Sequence, residues 1–166
     1  MPANSVDLST RSFASGLLQT PACLRSCAGQ RVNEMAEHFQ VKTGSLKEVV
    51  DLTDRLQALI GRAKMRDGLC TVFVTHTTAA LTTGEIGEGT EQDLLEVVQQ
   101  VIPSIRFRHA HDPSHAWSHM AASILGPSLA IPVSDGHLTL GTWQSVLLVE
   151  LDGPRERTVY VTLLAS

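Results

Sequence analysis

The chain has 166 residues, 43 % hydrophobic and 18 % charged, which suits one domain with a buried core and excludes an intrinsically disordered chain. Thirteen basic residues face 17 acidic ones, a formal charge of −4, so the basic face that holds nucleic-acid phosphate is missing; two Trp, one Tyr and four Phe are also few for stacking on single strands. No apolar run approaches the ~20 residues of a membrane span, and Cys23, Cys27 and Cys70, without a CxxC pair, indicate a reducing, cytoplasmic setting.

Residues 1–36 read as an N-terminal tail, a weak organelle-type leader, or a mis-called start upstream of Met35, with no apolar h-region of a secretory signal. The regular domain is expected over 37–166. HFQVKT (38–43) alternates and ends at Gly44, and KEVVDLT (47–53) follows, a hairpin-like pair of strands. Thr53 is placed to cap a helix over 54–64, whose Leu56, Leu59, Ile60 and Ala63 recur on one face. LCTVFVT (69–75) has the β-branched and aromatic content of a buried strand, with Cys70 as a small apolar residue inside it. Gly84, Gly87 and Gly89 mark a loop, after which Thr90 is placed to cap a helix ended by Pro103. A third helix is expected over 114–125, with Pro113 in its first turn and Gly126 closing it. SLAIPV, HLTL, SVLLVEL and RTVYVTLLA then read as strands, with turns at 135–136 and 152–155. Strands with inserted helices and no βαβα alternation predict an α+β domain, a mostly antiparallel β-sheet with helices packed on one face. The last strand is apolar on both sides, which suits a face that meets another subunit.

The chain carries seven histidines, six of them within residues 76–137. His76 ends the buried strand and opens HTTAALTTGE, at a sheet rim where a side chain on a rigid element can meet a ligand. Thr77 and Thr78 add hydroxyls that donate to phosphate or carboxylate oxygens, and Glu85 follows in a Gly-rich stretch. RHAHDPSHAWSH gathers His109, His111, His115 and His119; the last two, four apart on a helix, have the spacing of helical metal pairs. The glutamate of HExxH is absent, which disfavours a zinc peptidase. Trp143 beside Gln144 offers a flat apolar face with an amide, and Arg155 and Arg157 flank a turn where they can pair with an anion. Cys70, mid-strand, is not placed as a nucleophile.

Taken together, HTTAAL at 76–81, Glu85, the His109 and His119 pair, SILG at 123–126, IPVSDGHLTLGTWQ at 131–144 and ELDGPRERTV at 150–159 resemble the YjbQ (UPF0047) family over residues 37–166. The resemblance implies a small α+β protein that assembles as a homotrimer around a His-lined, metal-capable site. His76, His109 and His119 match the recurring histidines and are the implied metal ligands, with a Zn-like divalent ion preferred by ligand type and Mg²⁺ possible. His115 falls where the family more often has Asn. The family name carries a weak thiamine-phosphate synthase activity, the joining of a pyrimidine-methyl diphosphate to a thiazole phosphate. His76, Glu85 and His119 are then the expected catalytic residues, and Thr77, Thr78, Trp143, Gln144 and Arg155 the expected contacts to a small phosphorylated ligand. A metal-dependent hydrolase of a small phosphorylated substrate and a non-catalytic trimeric metal- or ligand-binding protein are the alternatives.

Overall fold

The computed structural model describes residues 34–108 and 113–166. Eight strands and three helices follow in the order β1 (Glu34–Lys42), β2 (Glu48–Asp51), α1 (Thr53–Ala63), β3 (Gly68–Val74), β4 (Ala79–Gly84), α2 (Thr90–Val101), α3 (Ala116–Leu125), β5 (Ser128–Ser134), β6 (His137–Leu138), β7 (Ser145–Glu150) and β8 (Glu156–Ala165). Every strand pairing is antiparallel, as the α+β expectation required. The strands form two sheets, however: β1-β8-β3-β5-β6 and β2-β7-β4.

The two sheets pack face to face. Val72, Val74, Ile131, Val159 and Val161 of the larger sheet meet Ala79, Leu81, Val146 and Leu148 of the smaller, and Leu56, Leu59 and Ile60 of α1 join the same core. The other face of the smaller sheet, with Ala80 and Val149, carries α2 and α3 through Val98, Ile102, Ala121 and Ala122. Two-sided burial explains the unbroken apolar run of β7, since an alternating pattern needs one wet face. β8 lies centrally, between β1 and β3. The outer face of the larger sheet carries the cross-strand rows Ala36–Thr162–Thr71–Ala130 and His38–Tyr160–Phe73–Ser128. Phe73 and Tyr160 on it are exposed, and no helix is packed there among the described residues.

Several local expectations are corrected. The hairpin-like start does not form: β1 pairs with β8 and β2 with β7, so the Thr43–Lys47 connection crosses between sheets. β1 also begins at Glu34, with Met35 packed against the core, so residues 34–36 belong to the domain; residues 1–33 lie outside the described part. AALTTG forms strand β4, where Gly84 ends a ladder against β7. Neither threonine caps its helix. Thr53 donates its hydroxyl to Asp51 Oδ1 and accepts the Val146 N–H at 2.9 Å, while Thr90 donates to the Gly87 carbonyl at 2.8 Å behind a left-handed Gly89. The 135–136 turn joins β5 to β6 with both φ values positive, 50° and 82°, the geometry of a two-residue hairpin. The 152–155 turn instead carries the chain from one sheet to the other.

Candidate functional site around His76 and the Asp152 turn

His76 sits where the chain leaves β3 for β4, and its Nε2 accepts the backbone N–H of Thr158 on β8 at 2.9 Å. A backbone N–H can only donate, so Nε2 is unprotonated and Nδ1 carries the proton of the neutral ring. Burial, then the nearby Arg157 and Arg155 guanidiniums, lower the His76 pKa, with Glu150 opposing them. The ring is therefore held neutral and offers an Nδ1–H.

Beside it lies a cavity of about 420 Å³, walled by Phe73, Val74, Ala79 and Ala122 and given polar groups by Thr77 and Ser123. That is within the usual ~300–1,000 Å³ of small-molecule sites, as is the apolar wall with few polar groups. Ser123 donates its hydroxyl to the carbonyl of His119, one turn back on α3; His119 is half-buried on that helix.

Behind His76 lies a buried ion pair. Arg157 donates from Nε to Glu150 Oε2 at 2.6 Å and from Nη2 to Glu150 Oε1. Thr78, expected to meet a ligand, is buried and accepts Arg157 Nη2 on its hydroxyl at 2.9 Å; it supports the guanidinium instead. Glu150 also accepts the Thr43 hydroxyl and the N–H groups of Leu151 and Asp152. Burial raises the Glu150 pKa, but the Arg157 hydrogen bonds and charge outweigh it, and the carboxyl is held below its ordinary value.

The Asp152 turn continues this chain of contacts. Asp152 Oδ2 accepts Arg155 Nη2 at 2.7 Å, the Asp152 carbonyl accepts Arg155 Nε at 2.7 Å, and Oδ1 lies 2.6 Å from His115 Nδ1. Against the opposing effect of burial, these partners lower its pKa. His115 stands at the N-cap of α3 with its ring on Asp152. The turn needs Gly153, because a Cβ there would come within 2.3 Å of the Ser45 carbonyl and 2.9 Å of Glu150 Cγ.

The other expected residues lie at the far end of β4. Glu85 follows its last residue, and Gln144 Nε2 donates to Thr83 Oγ1 at 2.9 Å. Six strand residues put this group about 16 Å from the Thr78 end. Within the chain, then, His76, Thr77 and Arg155 gather at one end, and Glu85, Trp143 and Gln144 at the other.

Nε2 of His76 is engaged and Nδ1 is protonated in the neutral ring, whereas a metal ligand needs a free lone pair. Among the described residues no three His, Cys, Asp or Glu form a metal-holding group, and His109 and His111 lie outside those residues. The described residues do not fit a metal centre, and no step below runs through one. Burial pushes the Cys70 thiol up to about 11, in keeping with an inert core residue.

Glu150, Asp152 and Thr43 were not singled out from the sequence. A signal was present: Glu150 interrupts an apolar strand and Arg157 opens another, and charges inside such runs are buried only when paired.

The sequence profile of the UPF0047 protein YjbQ-like family matches residues 37–166. A UPF0047 protein of Archaeoglobus fulgidus is 39% identical over 125 residues, covering 75% of this chain and 97% of that protein. The crystal structure of a YbjQ-like protein of unknown function from Sulfolobus solfataricus superposes with a TM-score of 0.77 at 33% identity, covering 82% of this chain and 100% of that one. A hypothetical protein from Aeropyrum pernix gives 0.74 at 36% identity, covering 80% and 99%. Among the described residues no helix is long and apolar enough to cross a membrane.

Proposed function

The chain belongs to the UPF0047 YjbQ-like family, and we propose that it is an enzyme acting on a small phosphorylated ring compound in the His76 cavity. Thiamine-phosphate formation is the specific reaction. The observation that carries this reading is a neutral imidazole on an apolar cavity, with Arg155 and Arg157 close enough to depress its pKa. The apolar walls suit a flat ring, and the half-exposed Arg155 suits its phosphate. Arg157 is already paired with Glu150 and adds its field.

In that reaction the thiazole nitrogen forms a bond to the pyrimidine methylene carbon as the carbon–oxygen bond to diphosphate breaks. The electron pair leaves with pyrophosphate. Arg155 stabilises the charge growing on the leaving group, the Nδ1–H of His76 donates to it, and the cavity holds the two rings together. The chain acts as a self-assembled oligomer, a homotrimer in this reading. Support comes from the outer face of the larger sheet, where Phe73 and Tyr160 are exposed on a surface with small or hydroxylated neighbours.

The test assays the joining reaction and the binding of thiazole phosphate by calorimetry, in wild type, His76→Ala and Arg155→Met. Wild-type turnover that falls on the order of 100-fold in Arg155→Met is the expected result. Binding without turnover would replace the enzyme with a ligand-binding protein, and neither would overturn the reading. Hydrolysis of a small phosphorylated compound that stops on chelation would favour the metal-dependent hydrolase.

A further inference from the structure

We infer that the cavity is shared between copies: the indole of Trp143 on one chain closes the His76 cavity of the next and brings Glu85 to it. This rests on the self-assembly proposed above and specifies its geometry.

Trp143 is 74% exposed, the most exposed of the large hydrophobics among the described residues. Yet its loop is tightly held. Gly141 N–H donates to Gln144 Oε1 at 3.1 Å, Gln144 N–H donates to the Gly141 carbonyl at 3.0 Å, and Gln144 Nε2 anchors the loop to Thr83. Fixing an indole in water brings no burial to its own chain, whereas burial against another body gains an aromatic side chain about 150–250 Å² of contact.

The complementary feature is at the other end of the protomer. The His76 cavity is mostly apolar and has the exposed Phe73 among its walls. Phe73 also belongs to the open sheet face, between Tyr160 and Ser128, so a copy that covers this face reaches the cavity. Glu85 and Trp143 cannot reach His76 of their own chain, because β4 separates them by about 16 Å.

Two unlike surfaces on one chain, each lacking a partner among the described residues, define a heterologous contact. Such a contact closes into a ring when the rotation between copies allows, and three copies form one such ring. A self-complementary two-fold contact would instead set like patches together. The charges fit a second copy as well: the middle rows of the face carry no Asp, Glu, Lys or Arg, and its rim holds both Glu156 and Lys42. An acidic or basic partner would find no matching field there.

The test uses the full chain with Cys23 and Cys27 changed to Ser. Thr77→Cys and Thr142→Cys, both at exposed positions, are made in separate proteins, co-assembled, and treated with a short bis-maleimide. Cross-linked dimer several-fold above that of either protein alone is expected. In parallel, the emission of Trp143, taken as the difference between wild type and Trp143→Phe, is expected to be blue-shifted and shielded from iodide. A trimer by light scattering with a freely quenched Trp143 would overturn the shared cavity and leave the assembly reading standing. A shielded Trp143 without the mixed cross-link would place the indole elsewhere and also overturn it. A monomer mass would overturn both readings, while leaving ring-phosphate binding to be judged by calorimetry.

Discussion

Arg157 and Glu150 face each other across the two sheets, 2% and 0% exposed at their side chains, as a buried two-point ion pair. Glu150 closes β7 of the smaller sheet and Arg157 lies near the start of β8 of the larger, so the pair ties the layers together at the end where His76 and the Asp152 turn stand. Arg157→Leu leaves the carboxylate buried without its cation, and denaturant titration should show a loss of about 3–5 kcal/mol. Adding Glu150→Gln should recover part of this, since the amide oxygen still accepts the Leu151 and Asp152 N–H groups while the buried charge is gone.

His76 has two separable tasks, support and chemistry. His76→Ala leaves the Thr158 N–H without its acceptor, a loss of about 1–3 kcal/mol if the group stays dry. His76→Gln places an amide oxygen where Nε2 was. It should melt near wild type, yet share the loss of thiazole phosphate turnover, because it has no imidazole Nδ1–H. Equal stability of the Ala and Gln variants would show that the Thr158 contact contributes nothing.

Acid should destabilise the domain through two carboxylates. Glu150 and Asp152 both have folded pKa values below their ordinary ones, so their stabilising contribution is complete above the unfolded carboxylate range, about 4. It is lost as pH falls through the lower folded values. Stability measured by denaturant should therefore decline below about pH 4, and Asp152→Asn should flatten part of that decline. An unchanged acid slope in the variant would remove Asp152 from the account.

Two glycines should respond in opposite directions. Gly61 lies within α1 with open space where a Cβ would go, so Gly61→Ala should raise stability by about 0.5–1 kcal/mol. At Gly153 the new Cβ would meet a backbone carbonyl. Gly153→Ala should lower the melting temperature, at a cost of about 1–3 kcal/mol, and loosen the Arg155–Asp152 contact. Thermal melts of the two variants read both effects.

The helices and long strands were legible because their signals are local. Leu56, Leu59 and Ile60 recur at helical spacing and are the buried face of α1, and the apolar run before Thr75 is β3. β4 was not legible: Ala79–Gly84 is short, rich in Ala and Thr, and ends in glycine, so only the β7 ladder makes it a strand. The threonines failed as caps for a similar reason, since the Val146 N–H competes for Thr53.

Local chemistry along the chain established an α+β domain and a buried Cys70, and it singled out His76, Arg155 and Trp143 as candidates for a site. Tertiary structure decided the grouping. Three of its hydrogen-bonded contacts join residues far apart along the chain: Thr158 to His76, Arg157 to Thr78 and Asp152 to His115. It also set the two ends of β4 apart. Periodicity reports which way a side chain faces within its own element; which strand lies beside it depends on loop crossings and on where a buried charge finds its counterion, and those are properties of the packed sheets alone.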